Sequence, residues 1–350
     1  MLSPILDKLR APDETDRGLI HALHIDARAP FSQIGSALGV STQTVARRYQ
    51  SLRAIASLRV RGLPHPHRAR RAEWLVRLTV SPAAARDVAL ALSRRADTST
   101  VGLVSGGAEI IAIVQAPITA SSAETLLARD VPRTAGVTAV SAHRLLHLYL
   151  GRPTFWRGCA NTLDEHQRRC LQPRWLADTG DQVCEPAFSD ADAGLLAALR
   201  EEGRASYADL AAATGRSPAT VARRLAFLRA SGSLYFDVDM DPAVFGISTR
   251  TFLWLEVAPD RLDQVAQRLS RHEEPVFVAA TTGRSNLVAS VLCPDPAALH
   301  RFLTHLVGTL DGVRSLESAP VSQIVKREGS MPMPSVRYRA PSLGDVRRAG

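Results

Sequence analysis

Apolar positions along the chain follow two rhythms in alternation, and each rhythm is used twice. Residues 13 to 55 carry them at helical spacing: Leu19, Ile20 and Leu23, then Phe31, Ile34, Ala37 and Leu38, then Val45, Tyr49 and Leu52. "DARAP" interrupts the first run. "GVS" at 39 to 41 interrupts the second, with Gly39 suited to a left-handed cap and Ser41 to the next N-cap. Three short helices are predicted. From residue 74 the period falls to two: "WLVRLTV" reads as a strand, "SPAAARDVALALSRR" as an amphipathic helix and "STVGLVSGGAEIIAIVQ" as two strands about a Gly-Gly turn. "SSAETLLARD" reads as a second helix and "GVTAVSAHRLLHLYL" as a last strand, completing the order βαββαβ.

The whole pattern then recurs. A shift of 176 residues superposes "TVARR" at 44 to 48 on "TVARR" at 220 to 224, and with it Asp16 on Asp192, Leu19 on Leu195, Arg28 on Arg204, Gly39 on Gly215 and Ser41 on Ser217. Pro218 stands where the first residue of the repeated third helix belongs. A shift of 177 superposes Val80-Ser81-Pro82 on Val257-Ala258-Pro259 and Gly106 on Gly283. A folding unit has been duplicated.

Three helices with a Gly turn before the third fit the helix-turn-helix plan, in which the last helix enters a DNA major groove. On a helical wheel Val45, Tyr49 and Leu52 face inward, Gln43, Arg47, Gln50 and Ala54 face away, and Arg48 sits at the edge. The βαββαβ order predicts a four-stranded antiparallel sheet with both helices on one face, and a second such sheet is the expected cover for the other. The fold class is α+β: two winged or three-helix helix-turn-helix heads and two ferredoxin-like domains. The expected limits are an arm at 1–12, head 1 at 13–60, a basic hinge at 61–72, a ferredoxin-like domain at 73–150 and a connector at 151–187. Head 2 follows at 188–236, an acidic hinge at 237–247, the second ferredoxin-like domain at 248–326 and a Pro-rich basic tail at 327–350.

With 350 residues and 45% hydrophobic content the chain is long and apolar enough for several packed domains. It has no apolar run of bilayer length and no signal-peptide core, so a cytoplasmic protein without a membrane partner is expected. Lys plus Arg exceed Asp plus Glu by 43 to 34, almost all of the excess being Arg, which favours a polyanionic partner. The distribution is uneven. Residues 41–71 hold eight Arg and no acid, whereas 217–247 hold three Arg balanced by Asp237, Asp239 and Asp241. The groove-facing Gln43, Gln50 and Ser51 likewise become Ala219, Ala226 and Phe227. Head 1 is therefore expected to dominate phosphate attraction and base readout. The expected DNA-contacting set is Ser41, Thr42, Gln43, Thr44, Arg47, Arg48, Gln50, Ser51 and Arg53, with Ser217, Thr220, Arg223, Arg224 and Arg229 in the second copy.

A helix-turn-helix followed by βαββαβ resembles the Lrp/AsnC (feast/famine) transcriptional regulators, over about 13 to 150 and again over 188 to 326. "DETDRGLIHAL" and "SDADAGLLAAL" resemble the family's opening helix and "DVDMDPAVFG" its hinge strand. The resemblance implies double-stranded DNA as partner, association into homo-oligomers, and a small effector, commonly an amino acid, held between sensor domains. The family's Gly-Asp-rich turn at the effector cleft falls on Gly106, Gly107, Ala108 and Glu109, and on Gly283, Arg284, Ser285 and Asn286. Its acidic residues are replaced here. An alternative on the same duplicated layout is an enzyme resembling the sirohaem decarboxylases, for which His143 and His147 in "SAHRLLHLYL" are reachable candidates. A pure interaction scaffold is a third possibility.

The connector holds Cys159, Cys170, Cys184 and His166 without the paired CxxC spacing of structural zinc, so no metal and no cofactor are expected. "TLDEHQRRCL" reads as a helix capped by Thr162 and Glu165.

Overall fold

The computed structural model describes residues 11–66, 69, 71–117, 134–151, 158, 162–173 and 188–327. The head-1 helices are α1 (Glu14–Ile25), α2 (Phe31–Leu38) and α3 (Thr42–Ile55). Asp13 and Asp16 cap α1 reciprocally, Gly39 ends α2 at φ 68°, ψ 29°, and Ser41 accepts the Thr44 N–H at 3.0 Å to start α3. Then come β1 (Arg59–Pro64), β2 (Arg71–Val80), α4 (Ala85–Ser93), β3 (Thr98–Val104), β4 (Glu109–Pro117) and β5 (Val137–Leu150). The expected helix "SSAETLLARD" lies outside the described residues. The connector contributes α5 (Glu165–Leu171), and head 2 repeats the plan with α6 (Ala193–Glu201), α7 (Tyr207–Thr214) and α8 (Pro218–Ala230). The chain closes with β6 (Leu234–Asp239), β7 (Thr249–Val257), α9 (Leu262–Ser270), β8 (Pro275–Thr281), β9 (Leu287–Cys293), α10 (Pro296–Arg301) and β10 (Val313–Lys326).

Each half builds the antiparallel order expected of βαββαβ, β3-β4-β2-β5 and β8-β9-β7-β10. The two sheets do more than cover each other: their edges fuse into one closed eight-stranded barrel. The cause is the length of β5 and β10, 14 residues each. The first part of β5 pairs with β2 of its own half and the rest with β8 of the other; β10 does the same with β7 and then β3. No sheet edge is left unpaired in the barrel, which removes a route to aggregation. Inside the barrel Leu75, Val104, Ile111, Ile113, Phe252, Trp254 and Val288 form a core shared by both halves. Burying each such large side chain contributes roughly 1.5–3 kcal/mol. The helices cover the outside, α4 in one half and α9 in the other.

The two heads are joined directly: one hydrophobic core runs through both, from Leu19, Ile34 and Leu52 to Leu195, Leu210 and Leu228. The two hinge segments meet as well, β1 and β6 pairing antiparallel with Arg59 opposite Asp239, Arg61 opposite Asp237 and Leu63 opposite Tyr235. Arg61 and Asp237 are equivalent under the 176-residue shift, so the ladder is centred on an internal two-fold axis. Reciprocal bonds confirm the symmetry. Arg28 donates to the Gly203 and Ala205 carbonyls at 2.5 and 2.9 Å, and Arg204 donates to those of Ala27 and Ala29 at the same distances.

The connector is docked rather than loose where it is described. Leu163 and Leu171 enter the head core, and Gln167 donates to the Ala37 carbonyl at 2.8 Å. Its helix is capped by Asp164 and Gln167, not by Thr162 and Glu165; the acid two positions further on makes the stronger box with Gln167. The buried His21 ring accepts the Leu163 N–H at 3.1 Å on Nδ1. Burial, with the fields of His24 and Arg168, pushes its pKa down to about 4, so it stays neutral and keeps that acceptor.

Candidate nucleic-acid interface

Helices α3 and α8 present equivalent faces. Val45, Tyr49 and Leu52 are buried, as are Val221, Leu225 and Leu228, which turns the opposite side of each helix to solvent. Arg47 and Arg223 are both exposed there, together with Thr42, Gln43, Gln50 and Ser51 on α3 and Ala219, Ala226 and Phe227 on α8. Ser41 and Ser217 cap the helices, their hydroxyls 2.9 Å from those of Thr44 and Thr220. The first-turn N–H groups and these hydroxyls sit at the positive helix end, a fitting place for a phosphate.

The second arginine of each pair has another task. Arg48 binds Asp13 at 2.9 Å and Asp16 at 3.4 Å, and Arg224 clamps the fully buried Asp192 with Nε at 2.9 Å and Nη2 at 2.6 Å. The Arg224 hydrogen bonds hold the Asp192 carboxyl below its usual range, against the opposing effect of burial. These arginines fix the third helix to the start of the first. Arg53 and Arg229 are committed as well: Arg53 reaches Glu202 at 3.0 Å and Arg229 reaches Asp26 at 2.7 Å, two reciprocal bridges across the internal axis. Sequence reasoning assigned all four to DNA; the structure gives them head geometry.

The excess of arginine in the first hinge has a similar explanation. Arg59 donates to the Leu58 carbonyl at 3.0 Å and faces Asp239; Arg61 is buried opposite Asp237. The fields of Asp239 and Asp237 favour the Arg61 charge, and Arg59 is tied to backbone carbonyls at the end of α3. Of the eight basic positions in that window, Arg68 and Arg70 lie outside the described residues, and Arg47 is the one most plainly turned to solvent.

The sensor turns differ between copies. Gly106 and Gly107 adopt φ 71° and 91° with open space around them, while Glu109 accepts Arg77 at 2.8 Å and Ser105 at 2.9 Å. Arg77 also pairs with Glu317 and lies 4.7 Å over the Trp254 ring, so Glu109 belongs to a charge network joining the two halves. In the other copy Gly283, at φ 106°, roofs the His143 ring so closely that a Cβ would collide with Nδ1. That Nδ1 also sits 2.7 Å from the Thr282 carbonyl. Asn286 accepts the Val257 N–H and donates to its carbonyl at 2.9 and 2.8 Å, and Arg284 extends toward Glu256. Ala108 and Ser285 complete the two turns, the Ser285 carbonyl accepting from Thr281. The exposed His147 ring meets Tyr149 edge-on, with centroids 4.5 Å apart. Cys159 and Cys184 lie outside the described residues; Cys170 is exposed beside His166 at 3.7 Å. Among the described residues no three His, Cys, Asp or Glu side chains cluster as metal ligands, and no helix is long and apolar enough to cross a membrane.

With both heads and both sensor halves in place, comparison with known proteins is direct. The AsnC-type helix-turn-helix domain matches residues 13–53 and 189–229, and the Lrp/AsnC ligand binding domain matches 250–331. The regulatory protein AsnC of Escherichia coli is 30% identical over 135 residues, covering 38% of this chain and 88% of AsnC. The chain belongs to the Lrp/AsnC family. The HTH-type transcriptional regulator FL11 of Pyrococcus abyssi is 25% identical over 148 residues, which are 42% of this chain and 97% of FL11. Each relative spans about two fifths of the chain, as a duplication requires. The crystal structure of the siroheme decarboxylase NirDL superposes over 92% of this chain and 94% of its own, with TM-score 0.61 and 12% identity, so the whole duplicated fold is shared with it.

Two sets of residues escaped sequence reasoning. Asp16 and Asp192 each stand 32 residues before their arginine, a constant separation that was available in the repeat. Arg28 and Arg204 align in the repeat, but their letters do not show that each reaches the other head's backbone.

Proposed function

We propose that the chain is a cytoplasmic, non-enzymatic DNA-binding transcriptional regulator that works as a dimer built within one polypeptide. The observation that carries this reading is the division of labour in each "ARR" motif. One arginine anchors the third helix, and its neighbour, Arg47 or Arg223, is left exposed on the outward face beside a capped helix start. Exposed Gln43, Gln50 and Ser51 suit base edges in head 1, whereas Ala219, Ala226 and Phe227 offer head 2 apolar contacts only. Readout therefore rests mainly on head 1, and head 2 adds backbone attraction through Arg223. The direct joining of the heads fixes both α3 and α8 on one body, so a small effector acts by changing how that body meets the barrel. The open Gly106-Gly107 turn remains one candidate effector contact.

The test is duplex binding by the intact chain across a salt series. Affinity that falls steeply with salt supports the reading, and Arg47→Ala is expected to weaken specific binding roughly tenfold or more, with a smaller loss for Arg223→Ala. Equal losses would remove the asymmetry between heads. The enzyme alternative is tested by mixing with sirohaem: no shift of its absorption bands is expected.

A further inference from the structure

Duplication supplies an internal control within the repeated segments, where positions have counterparts 176 or 177 residues away. Where β6 crosses the end of the barrel there is a cavity of about 120 Å³, lined by Asp239, Met240, Arg250, Phe252, Phe277 and Leu292 among others. At the equivalent place in the other half, beside Leu63, Pro64 and Gln115, only about 20 Å³ remains. The residues explain the difference. Glu73 is the counterpart of Arg250 and Gln115 that of Leu292; there Gln115 donates to Glu73 at 3.2 Å, and Lys326 closes the space by donating to the Arg95 carbonyl at 2.8 Å. One half has a filled polar joint and the other an open chamber with an arginine.

That arginine is poorly matched by the protein. Arg250 Nε reaches the buried Ser290 hydroxyl at 3.4 Å, and its terminal nitrogens meet no acceptor or carboxylate among the described residues. Asp239, the acid whose field reaches Arg250, is engaged by Arg327 at 2.9 Å, and Asp237 has partners of its own. Burial pushes the Arg250 guanidinium down to about 10, Arg327 adding to the effect and Asp239 opposing it. A half-buried cation whose neighbouring carboxylate is held by another arginine is costly, and much of the remaining wall is apolar. The volume is comparable to the roughly 150 Å³ cavity that accepts benzene.

We propose that this cavity binds a small organic acid, one carboxylate on an apolar body of about benzene's size, with Arg250 as the partner of the anion. The acids within the cavity are already engaged, so no carboxylate is available for an ammonium group. Acids lacking an α-amino group are therefore preferred over amino acids. The occupied cavity sits between hinge strand β6, the head residue His24 and the barrel, so ligand bears on the joint between heads and sensor; this consequence rests on the regulator reading above.

The experiment is calorimetric titration of the full chain with benzoate, 4-methyl-2-oxopentanoate, leucine, benzyl alcohol and inorganic phosphate. Duplex binding is measured in parallel without acid. Either carboxylate is expected to bind at least roughly tenfold more tightly than leucine, the alcohol or phosphate. Arg250→Gln is expected to abolish that binding while leaving the melting temperature of the free protein unchanged or higher, and Arg250→Lys to retain part of it. Failure of both acids to bind, equal binding of leucine, or undiminished binding by Arg250→Gln would overturn the proposal. Duplex binding without acid binding removes this inference alone. Acid binding without duplex binding supports the cavity and removes the regulator.

Discussion

At the scale of single residues, adjacent arginines in one motif are separated by what stands opposite them. Removing Arg224 leaves the Asp192 carboxylate buried and unpaired, so Arg224→Ala is expected to destabilise by about 1–3 kcal/mol, whereas the exposed Arg223→Ala is expected to leave the melting temperature unchanged. Thermal unfolding of the two variants checks this. A helical wheel shows that Arg48 and Arg224 lie at the edge of their helices, but it cannot show an acid on another helix. His21 gives a second prediction. Its folded pKa of about 4 lies below the unfolded value near 6.5, so its contribution is complete above pH 6.5 and is lost as pH falls toward 4. The loss is a few kcal/mol at most, because each tenfold change in proton affinity is worth about 1.4 kcal/mol. His21→Asn is expected to flatten the stability profile between pH 6.5 and 4; an unchanged profile would show that the buried ring is not the titrating group.

At the scale of elements, the repeat register and the turn chemistry carried most of the fold. Gly39 and Gly215 both take the left-handed conformation, and the eight barrel strands fall where the period-two segments place them. What did not read out was strand length as a cause of closure: "GVTAVSAHRLLHLYL" shows a strand, but not that Leu145 to Leu150 leave one sheet for the other. The hinges were legible in charge and misread in meaning. A basic window beside a neutral one suggested unequal DNA affinity, yet Arg59 and Arg61 face Asp239 and Asp237 across a ladder. This arrangement also gives a physical advantage to fusing the two halves. Two copies of either half would set Arg against Arg or Asp against Asp at a buried position on the axis, whereas this chain sets opposite charges there. Asp237→Arg is accordingly expected to destabilise by roughly 3 kcal/mol, and the double exchange with Arg61→Asp to recover most of that loss. Denaturant melts of the single and double variants measure the coupling; no recovery in the double variant would refute it.

At the scale of the whole molecule, both heads and the barrel obey one internal two-fold, while the features that carry chemistry depart from it. The outward Gln and Ser side chains are confined to α3, and the open cavity to the side of Arg250. Sequence alone located the first departure, because side chains on one helix can be compared letter by letter. It missed the second, since a cavity is formed by elements far apart in the chain and is visible only once they meet. The central claim is that Arg47 and Arg223 project toward nucleic acid from a body held together by their neighbours. It is tested most directly by measuring duplex affinity against salt for the intact chain and for Arg47→Ala plus Arg223→Ala. The account predicts salt-sensitive binding whose logarithmic slope shrinks by about two in the double variant, at unchanged melting temperature. Binding that ignores salt, or a double variant that binds like the parent chain, would contradict it.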